Sequence, residues 1–408
     1  MSDEEIHPNK YSELRSIYKY YIDACNALYQ LKTEKEEDLI SIYKMIKTEL
    51  IDSNKHPPQI IMRDILNIIP YNNRYTKSYL LLAKFIYDDY QVKELRDIDD
   101  YLYIIFYEEY GIKLTNFSFL EKLKLNYFEI PTENTIHRAI MYNDKERFIS
   151  FIEREGFDNY QKLQSDLYPH YFTGYSLLEL CCYHGAVDCF KFLRTKFDSE
   201  ITQTCLDLSF LGGNPEIMSE CLKYQKPNKE CMENAIISHN IDFVTFLMNE
   251  YNIKIDLEYC GEFNNLESFF VYFDQTNDIN KCFIYSMIFG LLSLCEYFIS
   301  HGANVNEKDK NGETALHFAA IYNSKETIEL LISQGANINE KDGNWKTALH
   351  VAAENNSKET AELLISYGAN INERDKYGET ALHYAAEYNS KDTAEIFISY
   401  GANINEKK

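Results

Sequence analysis

Residues 309–341 read DKNGETALHFAAIYNSKETIELLISQGANINEK, residues 342–374 read DGNWKTALHVAAENNSKETAELLISYGANINER, and residues 375–407 read DKYGETALHYAAEYNSKDTAEIFISYGANINEK. The three align without a gap at a step of 33 residues. Thr-Ala-Leu-His starts at Thr314, Thr347 and Thr380, and Gly-Ala-Asn at Gly302, Gly335, Gly368 and Gly401. A fixed period of this length marks stacked supersecondary units. In the first unit Thr314 is placed to cap a helix. Leu316, Ala319 and Ala320 then repeat at helical spacing, and the alanines let a neighbouring helix come close. Asn323 breaks that helix and Ser324 opens the next, whose buried stripe is Ile328, Leu331 and Ile332. Gly335 ends it in a positive-φ cap. A single unit cannot bury its own apolar face, so stability must come from stacking.

These residues resemble the ankyrin repeat, whose pattern is D-x-x-G-x-T-P-L-H-x-A-A, a second helix with paired leucines, then G-A-x-x-N. The resemblance covers 301–408. Ala315, Ala348 and Ala381 stand where the family prefers Pro, and Asn323, Asn356 and Asn389 where it prefers Gly. Both departures are mild: Ala is a good helix former, and Asn tolerates a left-handed turn. The resemblance implies an all-α ankyrin-repeat solenoid of helix pairs and a protein-binding role on its concave face. It implies that the histidines of the Thr-x-Leu-His tetrads bond locally around the turn.

The pattern continues upstream in weaker form. The leucine of the tetrad maps to Ile136, Leu178, Leu206, Met232, Leu257 and Phe283, at steps of 42, 28, 26, 25 and 26 residues. Shorter steps leave no room for a finger, so β-hairpin fingers are expected only in the C-terminal repeats. Residues 1–130 carry other helical patterns, over 11–31, 33–51, 58–69, 77–90 and 99–110. Thr33 and Glu36 have the spacing of a capping box. The expected organisation is an N-terminal helical region over 1–130 that caps the first repeat, degenerate ankyrin-like helix pairs over 131–281, and regular ankyrin repeats over 282–408. That layout resembles the large, lineage-expanded ankyrin proteins of protozoan parasites, in which a helical region and a degenerate repeat domain of unknown function precede regular repeats.

Composition narrows the partners. The 408 residues are 45% hydrophobic, enough for a sizeable core, and carry a net charge of −23. Such a chain repels phosphate backbones and anionic lipid, so neither nucleic acid nor a membrane is expected as partner. The longest uncharged apolar run, Cys282 to Cys295, has 14 residues, short of the ~20 that a spanning helix needs. The N-terminal MSDEEIHPNK lacks the basic and apolar regions of a signal peptide. The ten cysteines form no C-x-x-C pair and read as buried free thiols. These features predict an intracellular, cytoplasmic protein, with the nucleus left open.

No catalytic, cofactor or metal set emerges. There is no phosphate loop. Gly212-Gly213 reads as a tight inter-helix turn. His317, His350 and His383 fall about 10 Å apart by helix packing, too far to share a metal. His184 lies near Cys181, Cys182 and Cys189 in sequence, but a reactive thiol needs cationic surroundings that an acidic chain does not offer. The chain is therefore expected not to be an enzyme and to bind no cofactor.

Binding is expected where near-identical repeats differ. Those positions are Lys310, Asn311, Glu313, Ile321 and Tyr322; then Gly343, Asn344, Trp345, Lys346, Glu354 and Asn355; then Lys376, Tyr377, Glu379, Glu387 and Tyr388. Trp345, the only tryptophan, replaces the glycine found at 312 and 378. A Trp does not readily take positive φ, so the turn is expected to shift onto Gly343 or Asn344. The expected function is a non-enzymatic scaffold that holds a protein partner on this surface. Two alternatives stand beside it. In one, the N-terminal helices recruit a second factor. In the other, Asn306, Asn339, Asn372 and Asn405 are hydroxylated, because each follows an apolar residue by eight positions as in the asparaginyl hydroxylation sites that the resemblance implies. A C-terminal end without a polar capping repeat is compatible with weak self-association there.

Overall fold

The computed structural model describes residues 10–53, 56–114, 134–169, 174–321 and 324–404. Among these are 24 α-helices and a single two-stranded antiparallel ladder, Lys162–Leu163 against Tyr175–Ser176. They form two compact units, Met1–Val271 and Tyr272–Lys408.

In the second unit the 33-residue period is a succession of helix pairs. Ile279–Ser286 and Leu292–Ser300 come first, followed by Ala315–Ile321 and Lys325–Ser333, Ala348–Glu354 and Lys358–Ser366, and Ala381–Glu387 and Lys391–Ser399. Ala319, Ala320, Ala352, Ala353 and Ala385 are buried, and no longer side chain holds the stacked helices apart. Leu316, Ile328, Leu331, Leu349, Leu364 and Phe397 fill the core, each worth roughly 1.5–3 kcal/mol of burial. Asn356 and Asn389 take the left-handed conformation expected between the helices, at φ 51° and 53°. Gly335, Gly368 and Gly401 end the second helices at φ between 86° and 97°.

Two side-chain ladders run from repeat to repeat. The Nδ1 of His350 accepts the Thr347 backbone N–H at 3.1 Å and lies 3.0 Å from the Thr347 hydroxyl. A backbone N–H can only donate, so the proton sits on Nε2, which donates to the Glu379 carbonyl of the next repeat at 3.3 Å. His317 repeats the pattern with Thr314 and with the carbonyl of Lys346. The histidines thus bond around their own turn, as the resemblance implied, and also reach one repeat further. The second ladder is amide to backbone. Asn306 Nδ2 donates to the Gly335 carbonyl at 3.0 Å, and Asn306 Oδ1 accepts from Asn337 N–H at 2.8 Å. Asn339 does the same toward Gly368 and Asn370.

The fingers depart from the expected β-hairpins. Among the described residues they are reverse turns, and the one ladder lies upstream, before the helix Leu177–His184. The cause is the aspartate that opens each finger. Asp309 Oδ1 takes the N–H groups of Asn311 and Glu313, both at 2.8 Å, which a ladder would otherwise use. Successive tips share one backbone bond each, Gly343 N–H to the Asn311 carbonyl and Lys376 N–H to the Asn344 carbonyl.

In the first unit the degenerate repeats keep the register expected from sequence. Ile136, Leu178, Leu206, Met232 and Leu257 are buried on the first helices of successive pairs. Side chains cap these pairs: Ser176 with Glu179 in a capping box, Thr202, Asn228 and Asp256 on first helices, and Asn214 and Asn240 on second helices. Gly212 meets the turn of the preceding pair so closely that an added Cβ would lie 2.1 Å from the Cys182 carbonyl oxygen.

The helices before residue 114 are not confined to the first repeat. They lie along the inter-helix turns of several pairs. Tyr183 donates to the Pro70 carbonyl at 2.7 Å and accepts from the Asn73 N–H. Arg74 donates to the His184 carbonyl, and Gln30 to the His239 carbonyl. Tyr29 stacks on His239 at 4.1 Å, and Tyr21 donates to Asn264. Tyr11 and Arg15 converge on the buried Glu267. The Thr33–Glu36 capping box does not form. The helix begins only at Glu36, and the Thr33 hydroxyl donates to Asp38 instead, at 2.7 Å.

Candidate protein-interaction surface

The variable positions of the regular repeats fall on the finger tips and on the C-terminal ends of the first helices. Lys310, Asn311 and Glu313 share the first tip, Gly343, Asn344, Trp345 and Lys346 the second, and Lys376, Tyr377 and Glu379 the third. Ile321, Glu354 with Asn355, and Glu387 with Tyr388 sit at or just past the helix ends. Tyr322 lies outside the described residues.

Trp345 corrects the sequence reading. The turn does not shift: Trp345 itself is left-handed at φ 63°, matching Gly312 at 80° and Gly378 at 83°. Asp342 enforces this. Its Oδ1 takes the N–H groups of Asn344 and Lys346 at 2.8 and 2.7 Å, and its carbonyl takes that of Trp345. The conformation costs an L-residue about 1–2 kcal/mol. No burial of the ring offsets it, because Trp345 is 57% exposed. The ring has the Lys341 ammonium 5.6 Å from its centroid.

The Asn344–Lys376 tip bond sets Tyr377, 65% exposed, on the finger next to that of Trp345. Lys376 bonds Asn344 Oδ1, and its ammonium sits 5.0 Å over the Tyr377 ring. Lys346 reaches from finger to helix, pairing with Glu354 at 3.1 Å and sitting 4.6 Å over the ring of Tyr384. Tyr384 is pinned by its hydroxyl to Asp375 Oδ2 at 3.0 Å and lies parallel to Tyr388 at 6.3 Å. The Tyr388 phenol is pushed up first by the charge of Glu354 and by burial, then by Glu387 and Glu379. Tyr388 therefore stands in a field of three carboxylates.

Two of the expected residues bond within their own repeat. Asn311 bonds Glu313 within its own finger, and Asn355 bonds the Val351 carbonyl of its own helix. Tyr384 was missed by the sequence reading. The signal was available, because that position reads Phe318, Val351 and Tyr384 in the three repeats.

The chemical candidates resolve into packing. His184 is buried with its Nε2 2.9 Å from the Tyr168 hydroxyl, and burial holds it well below the usual histidine range. Burial pushes the thiols of Cys181, Cys182 and Cys189 up. All ten cysteines are buried and free. Among the described residues no group of three or more His, Cys, Asp or Glu side chains is arranged to hold a metal ion. No helix there is long and apolar enough to cross a membrane.

Comparison with known families agrees with this reading of the repeats. Residues 197–272 match a family model described as a domain of unknown function (DUF3447). Residues 257–342 and 340–408 match the model for ankyrin repeats in three copies. No curated protein matches the chain. Ankyrin repeats generally mediate protein–protein interaction, and the proteins that carry them are typically non-enzymatic scaffolds. With their capped helix pairs, their histidine and asparagine ladders and the matched model, residues 257–408 of the chain are ankyrin repeats.

Proposed function

We propose that this chain is a protein-binding scaffold whose partner sits on the finger tips and first-helix ends of the last three repeats, the concave side of an ankyrin stack. The observation that carries the reading is Trp345. It occupies a left-handed position where both sister repeats have glycine, and it leaves most of its ring in solvent. Strained residues of this kind concentrate at functional sites, and exposed aromatics supply the anchors of interfaces. Lys310, Glu313, Lys346, Glu379 and Glu387 form the polar surround.

The two alternatives have less support. Asn306, Asn339 and Asn372 already use their amides to join repeats, which favours a structural role over modification; Asn405 lies outside the described residues. The N-terminal helices are engaged with the turns of the degenerate repeats, which favours a folding role over recruitment. Quantitative affinity capture with the full chain and with a Trp345→Ala/Tyr377→Ala/Tyr388→Ala variant tests the proposal. Partners lost from the folded variant support it, and an unchanged partner set refutes it.

A further inference from the structure

We infer that the occupant of this face is a protein segment carrying lysine or arginine beside an apolar side chain, with the apolar group against Trp345 and Tyr377 and the cation among Glu354, Glu379 and Glu387. The inference deepens the proposal above and rests on it. Trp345 and Tyr377 project from adjacent tips joined by a backbone bond, with more than half of each side chain exposed. Each already has a lysine ammonium within 6 Å of its ring centroid, Lys341 and Lys376, so their open faces suit apolar contact more than a further cation.

Tyr388 differs. It is exposed, backed by the parallel ring of Tyr384, and feels the charge of Glu354 first, then of Glu387 and Glu379. Lys346 is the ammonium in ion-pair contact there, and it is engaged with Glu354. Glu387 is exposed and holds no ion pair among the described residues. A purely apolar segment laid over this end would bury carboxylate without compensation. An acidic one would meet like charge. A basic side chain gains both the carboxylates and the face of the Tyr388 ring.

The test selects short random peptides displayed on phage against the full chain and measures the selected peptides by fluorescence polarisation. The inference expects peptides rich in lysine or arginine next to an aromatic or aliphatic residue. Their affinity should fall about tenfold in Glu387→Gln and in Trp345→Ala, with unchanged melting temperatures. It should hold in Glu36→Gln/Glu37→Gln, which removes two exposed charges from the first turn of a helix in the other compact unit. Peptides that need Trp345 but show no basic excess, or that are indifferent to Glu387, overturn the inference and leave the binding-face proposal standing. Basic peptides that respond to Glu36 and Glu37 as strongly as to Glu387 overturn it too. Peptides that ignore Trp345 altogether, or a selection that yields none, overturn both.

Discussion

The Nε2 of His317 stands 3.1 Å from the carbonyl oxygen of Lys346, 29 residues along the chain. The same imidazole accepts the N–H that opens its own helix. One side chain therefore fixes a helix start in one repeat and the last residue of the finger tip in the next. His350 does so for Glu379. Lys346 and Glu379 both belong to the candidate surface, so the invariant histidines set the geometry on which the variable residues are displayed.

His350→Ala should lower stability by about 1–3 kcal/mol, because it leaves a buried N–H and a carbonyl without their partner. His383 caps its own turn but has no inter-repeat bond among the described residues. His383→Ala should cost less. Urea denaturation of the full chain checks this, and equal losses would contradict the ladder.

Burial holds the imidazoles of His317 and His350 low, and pushes that of His239 down to about 4 from an ordinary 6.5. His239 faces the Tyr29 ring, Asn26 and the Phe263 carbonyl, none of them anionic. The unfolded chain takes up the proton first, so the contribution to stability is complete above about pH 6.5. It is lost as pH falls toward 4, by up to ~1.4 kcal/mol per unit. Melting temperature against pH should therefore drop less steeply over that window in His239→Gln than in the native chain.

Trp345→Gly restores the residue of the sister repeats. It should raise stability by about 1 kcal/mol, the relief of left-handed strain less the added entropy of a glycine in the unfolded chain. A shift of the chemical-denaturation midpoint to lower denaturant would show that the ring packs to greater effect than its exposure indicates.

Deleting residues 1–130 removes the Pro70 and Asn73 partners of the buried Tyr183 and uncovers His239. Residues 136–271 should then lose cooperative unfolding and become sensitive to limited proteolysis. Tyr183→Phe in the full chain is the milder probe, with an expected loss of about 1–3 kcal/mol. A truncated chain that melts like the native one would give the N-terminal helices a role outside folding.

The regular repeats were legible because their physics is local. Alanine spacing, the left-handed asparagines and the closing glycines each act within a few residues; Asn356 and Asn389 are left-handed as expected, while Asn323 lies outside the described residues. The weak register from Ile136 to Leu257 was legible for the same reason. The conformation of Trp345 was not, because two bonds from Asp342 outweigh the intrinsic preference of a bulky residue. The missing finger strands have a like cause, aspartate side chains taking the N–H groups a ladder requires. The docking of the N-terminal helices rests on pairs such as Tyr183 with Pro70 and Gln30 with His239, separated by 113 and 209 residues. Such matches leave no period in a sequence.

The central claim is that Trp345 is held exposed, against its backbone preference, to bind protein. Affinity capture from native lysate, quantified for the native chain and for Trp345→Gly with the stability of each measured on the same sample, tests it most directly. The account predicts a variant at least as stable as the native chain that has lost its principal partner. A variant that keeps every partner at native levels would contradict it.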